Sequence, residues 1–147
     1  MPTANSLDEA IRRLQTLAAA CTNTRVRNTP TYPVDGLGVL PMSIAHLVSG
    51  QGVFTSASTL HFFPTAQVDF IISRNNLEQA YKETDALALE YMQRLHGDPT
   101  LGGNVETVIA TRDQPVTFEV GPMQWNDVTV HVLSFTIPLK LMKAPTT

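Results

Sequence analysis

Four histidines and one cysteine are the side chains with the most reactive chemistry in this chain: His46, His61, His96, His131 and Cys21. A histidine could act as a general base or hold a metal, and a thiolate could attack an electrophile. Either role needs partners at set spacings. None of the histidines stands four residues from another, and none lies near a Cys or Glu at metal-ligand spacing. His46 and His131 fall in strand patterns and read as satisfied sheet residues. His96 precedes Gly97 at a predicted helix end, where a partial positive charge suits the last carbonyls. Cys21 falls on the apolar side of a predicted helix and reads as a small buried hydrophobe. Asp8, Glu9, Glu83, Asp85 and Glu90 read as solvated helix charges rather than a paired acid and base. Gly36-Leu37-Gly38 and Gly50-Gln51-Gly52 are fragments of a phosphate-binding pattern without its third glycine or a following helix. The expectation is a protein that is not an enzyme, with no catalytic residue, cofactor or metal.

The elements that would position any site are legible from periodicity. Ser6-Leu7-Asp8-Glu9 has the form of a capping box, and Leu7, Ala10, Ile11, Leu14, Leu17, Ala18 and Cys21 make an apolar stripe. This predicts a first helix, with Asp8–Arg12 and Glu9–Arg13 as wet-side pairs. The second helix starts at Asn75 or Asn76, with Glu78 or Gln79 three residues on. Its predicted stripe is Leu77, Ala80, Tyr81, Thr84, Leu87, Ala88, Tyr91 and Leu95, and Glu78–Lys82 and Glu90–Arg94 lie outside it. Gly97 suits a left-handed cap, and Pro99 follows where a helix cannot continue. Predicted strands are Val39–Val48, Thr59–Ser73 (broken early by Pro64), Val105–Thr111, Val116–Val120 and Val128–Leu141. Gly121-Pro122 is expected to break the chain so that Trp125 can fold over the core. In the last strand, His131, Leu133, Phe135, Ile137, Leu139 and Leu141 share one face, and the other face carries no charge before Lys140. Such a strand is buried on both faces or covered by a partner. The fold class is α+β: a mostly antiparallel sheet, two helices packed on one face, and long interaction loops.

The 147 residues fit a single domain, 1–147, with flexible ends at 1–5 and 143–147. Charged residues make up 16%, below the usual ~25%. That shortage suggests that some surface meets another protein. The net charge of −3 offers no basic footprint for nucleic acid. No apolar run reaches the ~18 residues of a membrane span. A lone cysteine allows no internal disulfide, and an intracellular protein is expected.

Two predicted irregular segments stand out, Thr22–Gly38 and Ser49–Ser58, about 17 and 10 residues long where connections usually run to ~4–6. They carry Tyr32, Val34, Leu37, Val53 and Phe54. These apolar residues either tuck into the core or reach a neighbouring subunit. Leu89 lies more than roughly 100° from the stripe of the second helix, which makes it a further contact candidate. Ser49–Ser58 is expected to be a flexible arm tipped by Val53-Phe54.

At this point the order of pieces resembles a family. A Pro-rich stretch around Thr29-Pro30-Thr31-Tyr32-Pro33, the helix start Ser73-Arg74-Asn75-Asn76-Leu77, the run Asp98-Pro99-Thr100-Leu101-Gly102-Gly103-Asn104-Val105 and the run Gly121-Pro122-Met123-Gln124-Trp125 are similar to those of tail terminator and tail-completion (minor tail) proteins of long-tailed bacteriophages. The similarity extends over almost the whole chain, with Gly50–Ser58 departing from it. What the resemblance implies is a hexameric ring, a homo-oligomer that caps the tail tube, ends its polymerisation and faces the head-side connector. It implies as partners the tail tube protein and the connector or neck protein, with DNA passing through the lumen without specific binding. The place implied is the head–tail junction of the virion, assembled in the host cytoplasm, with no membrane. A neck protein of the same virion is the alternative. A small enzyme or ligand-binding domain is the alternative of another class.

Overall fold

The computed structural model describes residues 7–21, 42–56, 59–74, 76–103, 105–125 and 128–143, with the side chains of 55–56, 59, 125 and 142–143 left aside. Tyr32, Val34, Leu37, the cap at Ser6 and the termini at 1–5 and 144–147 lie outside these residues. The elements are α1 (Leu7–Ala19), β1 (Met42–Ser56), β2 (Thr59–Ser73), α2 (Leu77–His96), β3 (Thr107–Val108), β4 (Thr117–Trp125) and β5 (Val128–Lys143). All strand pairs are antiparallel, so the fold is α+β as the pattern predicts.

β5 is the centre of the sheet. It pairs with β2 from Val130 to Lys143, and with β4 from Val128 to Thr136. The short β3 sits beside Leu139 and Lys140. The order is therefore β1-β2-β5, with β4 and β3 sharing the far side of β5. One core cluster joins Ala10, Leu14, Leu17 and Ala18 of α1 to Ala80, Leu87, Tyr91 and Leu95 of α2 and to alternate strand residues, among them Val68, Phe70, Ile72, Leu133, Phe135 and Ile137. Tyr91 ties it together. Its ring lies 5.1 Å from Phe70 and 4.9 Å from Phe135, and its hydroxyl donates to the Leu14 carbonyl at 3.0 Å. Desolvation holds its pKa well above the ordinary tyrosine value. The intervening strand residues face the other way. There Met42, Ile44, Ile71, Val130 and Val132 form a second, smaller buried cluster. The far face of β5 is thus buried only at Val130 and Val132: Val128 and Thr136 are exposed.

The caps follow the sequence in part. Asn76 is the N-cap of α2, accepting from the Gln79 amide at 3.2 Å. Gly97 is not left-handed: its φ is −79°, and its N–H bonds back to Gln93. The positive φ values come later, at Leu101, Gly102 and Gly103. Asp98 closes that turn, one carboxylate oxygen accepting from the Gly102 amide at 3.0 Å and the other from Arg13 Nε at 2.6 Å. Arg13 therefore bridges α1 to the turn after α2. Burial alone would raise the Asp98 pKa; the Arg13 hydrogen bond, the Gly102 N–H and the Arg13 charge outweigh it and hold the carboxyl below its usual range. Asp8–Arg12, Glu78–Lys82 and Glu90–Arg94 form as spaced.

Four expectations need correction. Ser49–Ser56 is not a flexible arm but the second half of β1, paired with Thr59–Thr65. Pro64 does not break β2: it stays in register with Gly50 of β1, and only the β2–β5 register is interrupted there, between Phe62↔Leu141 and Thr65↔Pro138. Gly121-Pro122 lies inside β4, an edge strand that tolerates proline. The strand predicted over Val105–Thr111 shrinks to Thr107–Val108, because Val105 is drawn into the Asp98 turn by its bond to the Thr100 carbonyl.

Candidate interaction surface

A bulge at Val48, between the pairs Leu47↔Ala66 and Ser49↔Thr65, divides β1. Well before it, Met42, Ser43, Ile44 and Ala45 are buried; from Leu47, just before it, to Phe54 every residue is exposed. Leu47–Ser56 is the limb of β1; it pairs with Thr59–Ala66 of β2, whose other side meets Leu141–Lys143 of β5. One feature lets the limb form despite its composition. Gly50 lies against buried Pro64, where a Cβ would come within 3.1 Å of the Pro64 Cα and 3.3 Å of the Phe63 carbonyl oxygen. A side chain there would have to push that backbone aside by a few tenths of an ångström. Farther out, a Cβ on Gly52 would make ordinary contact with Leu60.

Phe54 is 81% exposed and Val53 47%. Neither belongs to the core, so the folded subunit does not need them. β1 from Met42 to Ser56 contains no Asp, Glu, Lys or Arg. Among the described residues it is an outer strand of the sheet. Natural edge strands are commonly blunted by charge, proline or shortness. This limb has no charge and no proline and is not short; the register shifts at its two ends, Leu47/Ser49 and Phe54/Ser56, are the one such device it carries.

Among the described residues β4 is the second outer strand. Phe118, Val120 and Met123 are exposed large apolar residues, and Glu119 is the one charge in the strand. Phe118 leans on Phe135 with ring centroids 5.6 Å apart. Pro122 is in register with His131, whose ring meets Tyr81 of α2 at 4.8 Å. The flank of α2 is apolar too: Leu77, Tyr81 and Leu89 are exposed, Leu89 at 65%. Leu77 and Tyr81 belong to the predicted buried stripe, but the buried side of α2 is Ala80, Thr84, Leu87, Tyr91 and Leu95. The stripe is narrower than the sequence suggests because Tyr81 packs its ring edge-on to His131 rather than entering the core.

One polar constellation was not legible in the sequence. Asp69 accepts from Gln67 Nε2 at 2.8 Å and from the Ser134 hydroxyl on one oxygen, and its other oxygen lies 3.4 Å from His46 Nε2. Serine, histidine and aspartate together invite comparison with a nucleophilic triad, but the order is wrong. A triad needs the imidazole between the hydroxyl and the carboxylate. Here the carboxylate lies between them, so Ser134 donates to Asp69 and has no base. The cluster cross-ties β1, β2 and β5 instead. The available signal was one acid in an otherwise apolar strand, with Gln67 two residues before it.

The remaining reactive groups are quiet. The Cys21 thiol is buried and donates to the Leu17 carbonyl at 3.6 Å; burial first, then the nearby Glu90 charge, push its pKa up to about 12. Such a thiol is almost never a thiolate at neutral pH. His131 is fully buried, and neither ring nitrogen has a hydrogen-bond partner, contrary to the satisfied histidine expected. Burial first, then the Arg74 charge, lower its pKa. Among the described residues no group of three His, Cys, Asp or Glu stands close enough to share a metal. A cleft of about 220 Å³ lies between Ser49, Gln51, Phe63, Thr65, Gln114 and Pro138. It is smaller than the roughly 300 Å³ at which ligand pockets begin. No helix is long and apolar enough to cross a membrane, among the described residues. No protein-family model matches this sequence, and no curated protein matches it either.

Proposed function

We propose that this chain is a structural virion protein: a ring-forming subunit that caps the tail tube of a long-tailed bacteriophage, ends its growth and joins it to the head-side connector. The observation that carries the reading is the uncharged, exposed outer limb of β1, with Phe54 81% exposed at its end. An edge of that kind is an association site unless something covers it. A closed ring covers it in every copy. The Asp98–Gly103 turn, one of the runs that resemble the terminator family, supports the reading in another way. It is a rigid corner fastened to α1 through Arg13, suited to holding a subunit's shape. The chain acts by shape and contact, without catalysis, cofactor or metal, and its partners are copies of itself, the tube protein and the connector.

Mass measurement on the purified protein tests this. The expected result is a hexamer, or a monomer that becomes a ring on isolated tail tubes. Images of the decorated tubes should show density at one end only, on the side that meets the head. Density bound to the head-side connector but absent from free tube ends would favour a neck protein. A monomer at high concentration that also ignores tail tubes would overturn the reading.

A further inference from the structure

We infer that the ring contact is a strand addition, the exposed limb of β1 in one copy pairing with the outer edge of β4 in the next. This rests on the ring reading and specifies its interface. The occupant follows from strand direction. Along β1-β2-β5-β4 every neighbour is antiparallel, so the two outer strands of one subunit run in opposite senses. A copy placed beside the first by rotation about a ring axis keeps its strand senses. Its β1 then meets β4 antiparallel, and the alternation continues unbroken from subunit to subunit. Limb-to-limb pairing needs a two-fold axis instead, consumes β1 twice and leaves β4 open.

The limb suits such pairing throughout; β4 withholds one main-chain donor at Pro122 and pairs through the residues on either side of it. The limb has no charge, and β4 has only Glu119, so no like charges meet. Main-chain hydrogen bonds supply the attraction, and the exposed Val53, Phe54, Phe118 and Val120 supply apolar area on either side. Levels along the strands fix one more detail. Thr117 pairs with Thr136, Thr136 with Gln67, and Gln67 with His46. β4 therefore starts at the level of His46 and runs away from the limb. Joining limb to β4 makes each copy step along the strand direction, which gives a sheared sheet with strands tilted to the ring axis, as barrel closure requires. The contact is also narrow: the open stretch of the limb is Leu47–Phe54, against about 20–30 residues a side in a standard interface. One contact holds weakly, and closure stabilises all of them together.

Two single substitutions and a thiol-bridging bis-maleimide test the pairing. Cys21 can stay, since it is buried. Val53→Cys and Val120→Cys proteins are assembled separately and in mixture, on tail tubes if the free protein is monomeric. The expected result is covalent dimers only from the mixture. Linked dimers from Val53→Cys alone would overturn the pairing in favour of a two-fold contact. Rings that form in all samples without any link would overturn it and leave the ring reading standing. No ring from the wild-type chain, with or without tubes, would overturn both. As a second check, Val53→Lys with Phe54→Lys should keep the wild-type circular dichroism spectrum and form no ring; a normal ring from that variant counts against the pairing.

Discussion

His131 sits where an apolar side chain would cost less. It is fully buried among strand residues and the Tyr81 ring, and its two nitrogens lack hydrogen-bond partners. Desolvation, helped by Arg74, lowers its pKa, so folding favours the neutral ring. The sign follows. The unfolded chain takes up this proton below about pH 6.5, while the folded chain resists it until the pH is lower. The stabilising share of the neutral ring is therefore complete above about pH 6.5 and is lost as the pH falls below it toward the folded value. His131→Leu should raise stability by about 1 kcal/mol near neutrality and weaken the loss on going to about pH 5. Thermal melts of both proteins across that range decide it; parallel curves would show that His131 is not held neutral by the fold. Asp69 teaches a related lesson about legibility. Sequence spacing can show that an acid occurs in an apolar strand, but its partners His46 and Ser134 come from strands far away in the chain. Only the register brings the three together.

At the level of elements, both helices and the long final strand follow from periodicity, because each has an apolar pattern long enough to average out single residues. Strand continuity at Ser49–Ser56, Pro64 and Gly121-Pro122 does not. Glycine and proline signal interruption through local conformational cost, whereas here neighbouring strands decide the matter. Pro64 falls where the ladder to β5 is already open, Pro122 lies at an edge, and Gly50 makes room for Pro64. This makes the glycines unequal. Gly50→Ala forces a methyl group against backbone and should destabilise the subunit by about 1–3 kcal/mol. Gly121→Ala meets open space and should be neutral, or stabilising by up to about 1 kcal/mol. Urea melts of the two variants would separate these outcomes. Equal midpoints would mean that the limb is not held at Gly50 as described.

For the molecule as a whole, charge decides which large partners it can hold. A net charge of −3 disfavours contact with the phosphate backbone, the more so if the proposed ring repeats it, and the closely spaced Arg25 and Arg27 are too few to offset it. Binding of the protein to duplex DNA should be no tighter than about micromolar at physiological salt, without sequence preference and weakening further as salt is added. Titration of labelled duplexes at two salt concentrations measures this. Tight binding that persists at high salt would instead mark a connector that grips DNA. Sequence reading reached this scale through composition and resemblance. The surfaces it marked at Tyr32, Val34 and Leu37 lie outside the described residues, while Val53, Phe54 and Leu89 are all exposed.

The central position of β5 has a consequence for how the protein is made. β5 is synthesised after every strand it pairs with, yet it fills the gap between β2 on one side and β3 and β4 on the other. Before residues 128–143 emerge from the ribosome, the nascent chain can fold its two helices and the β1–β2 hairpin, but β4 has nothing to lie against. An apolar edge on β2 stays open throughout this interval, and such intermediates are prone to misassociate. The inner strand arrives last and closes the sheet in one long-range step, slow by the standard of local contacts. β4 cannot act as an outer edge until that step is complete. Half-made chains therefore lack one of the two surfaces that the proposed ring would join, so the topology itself would time such assembly to finished subunits.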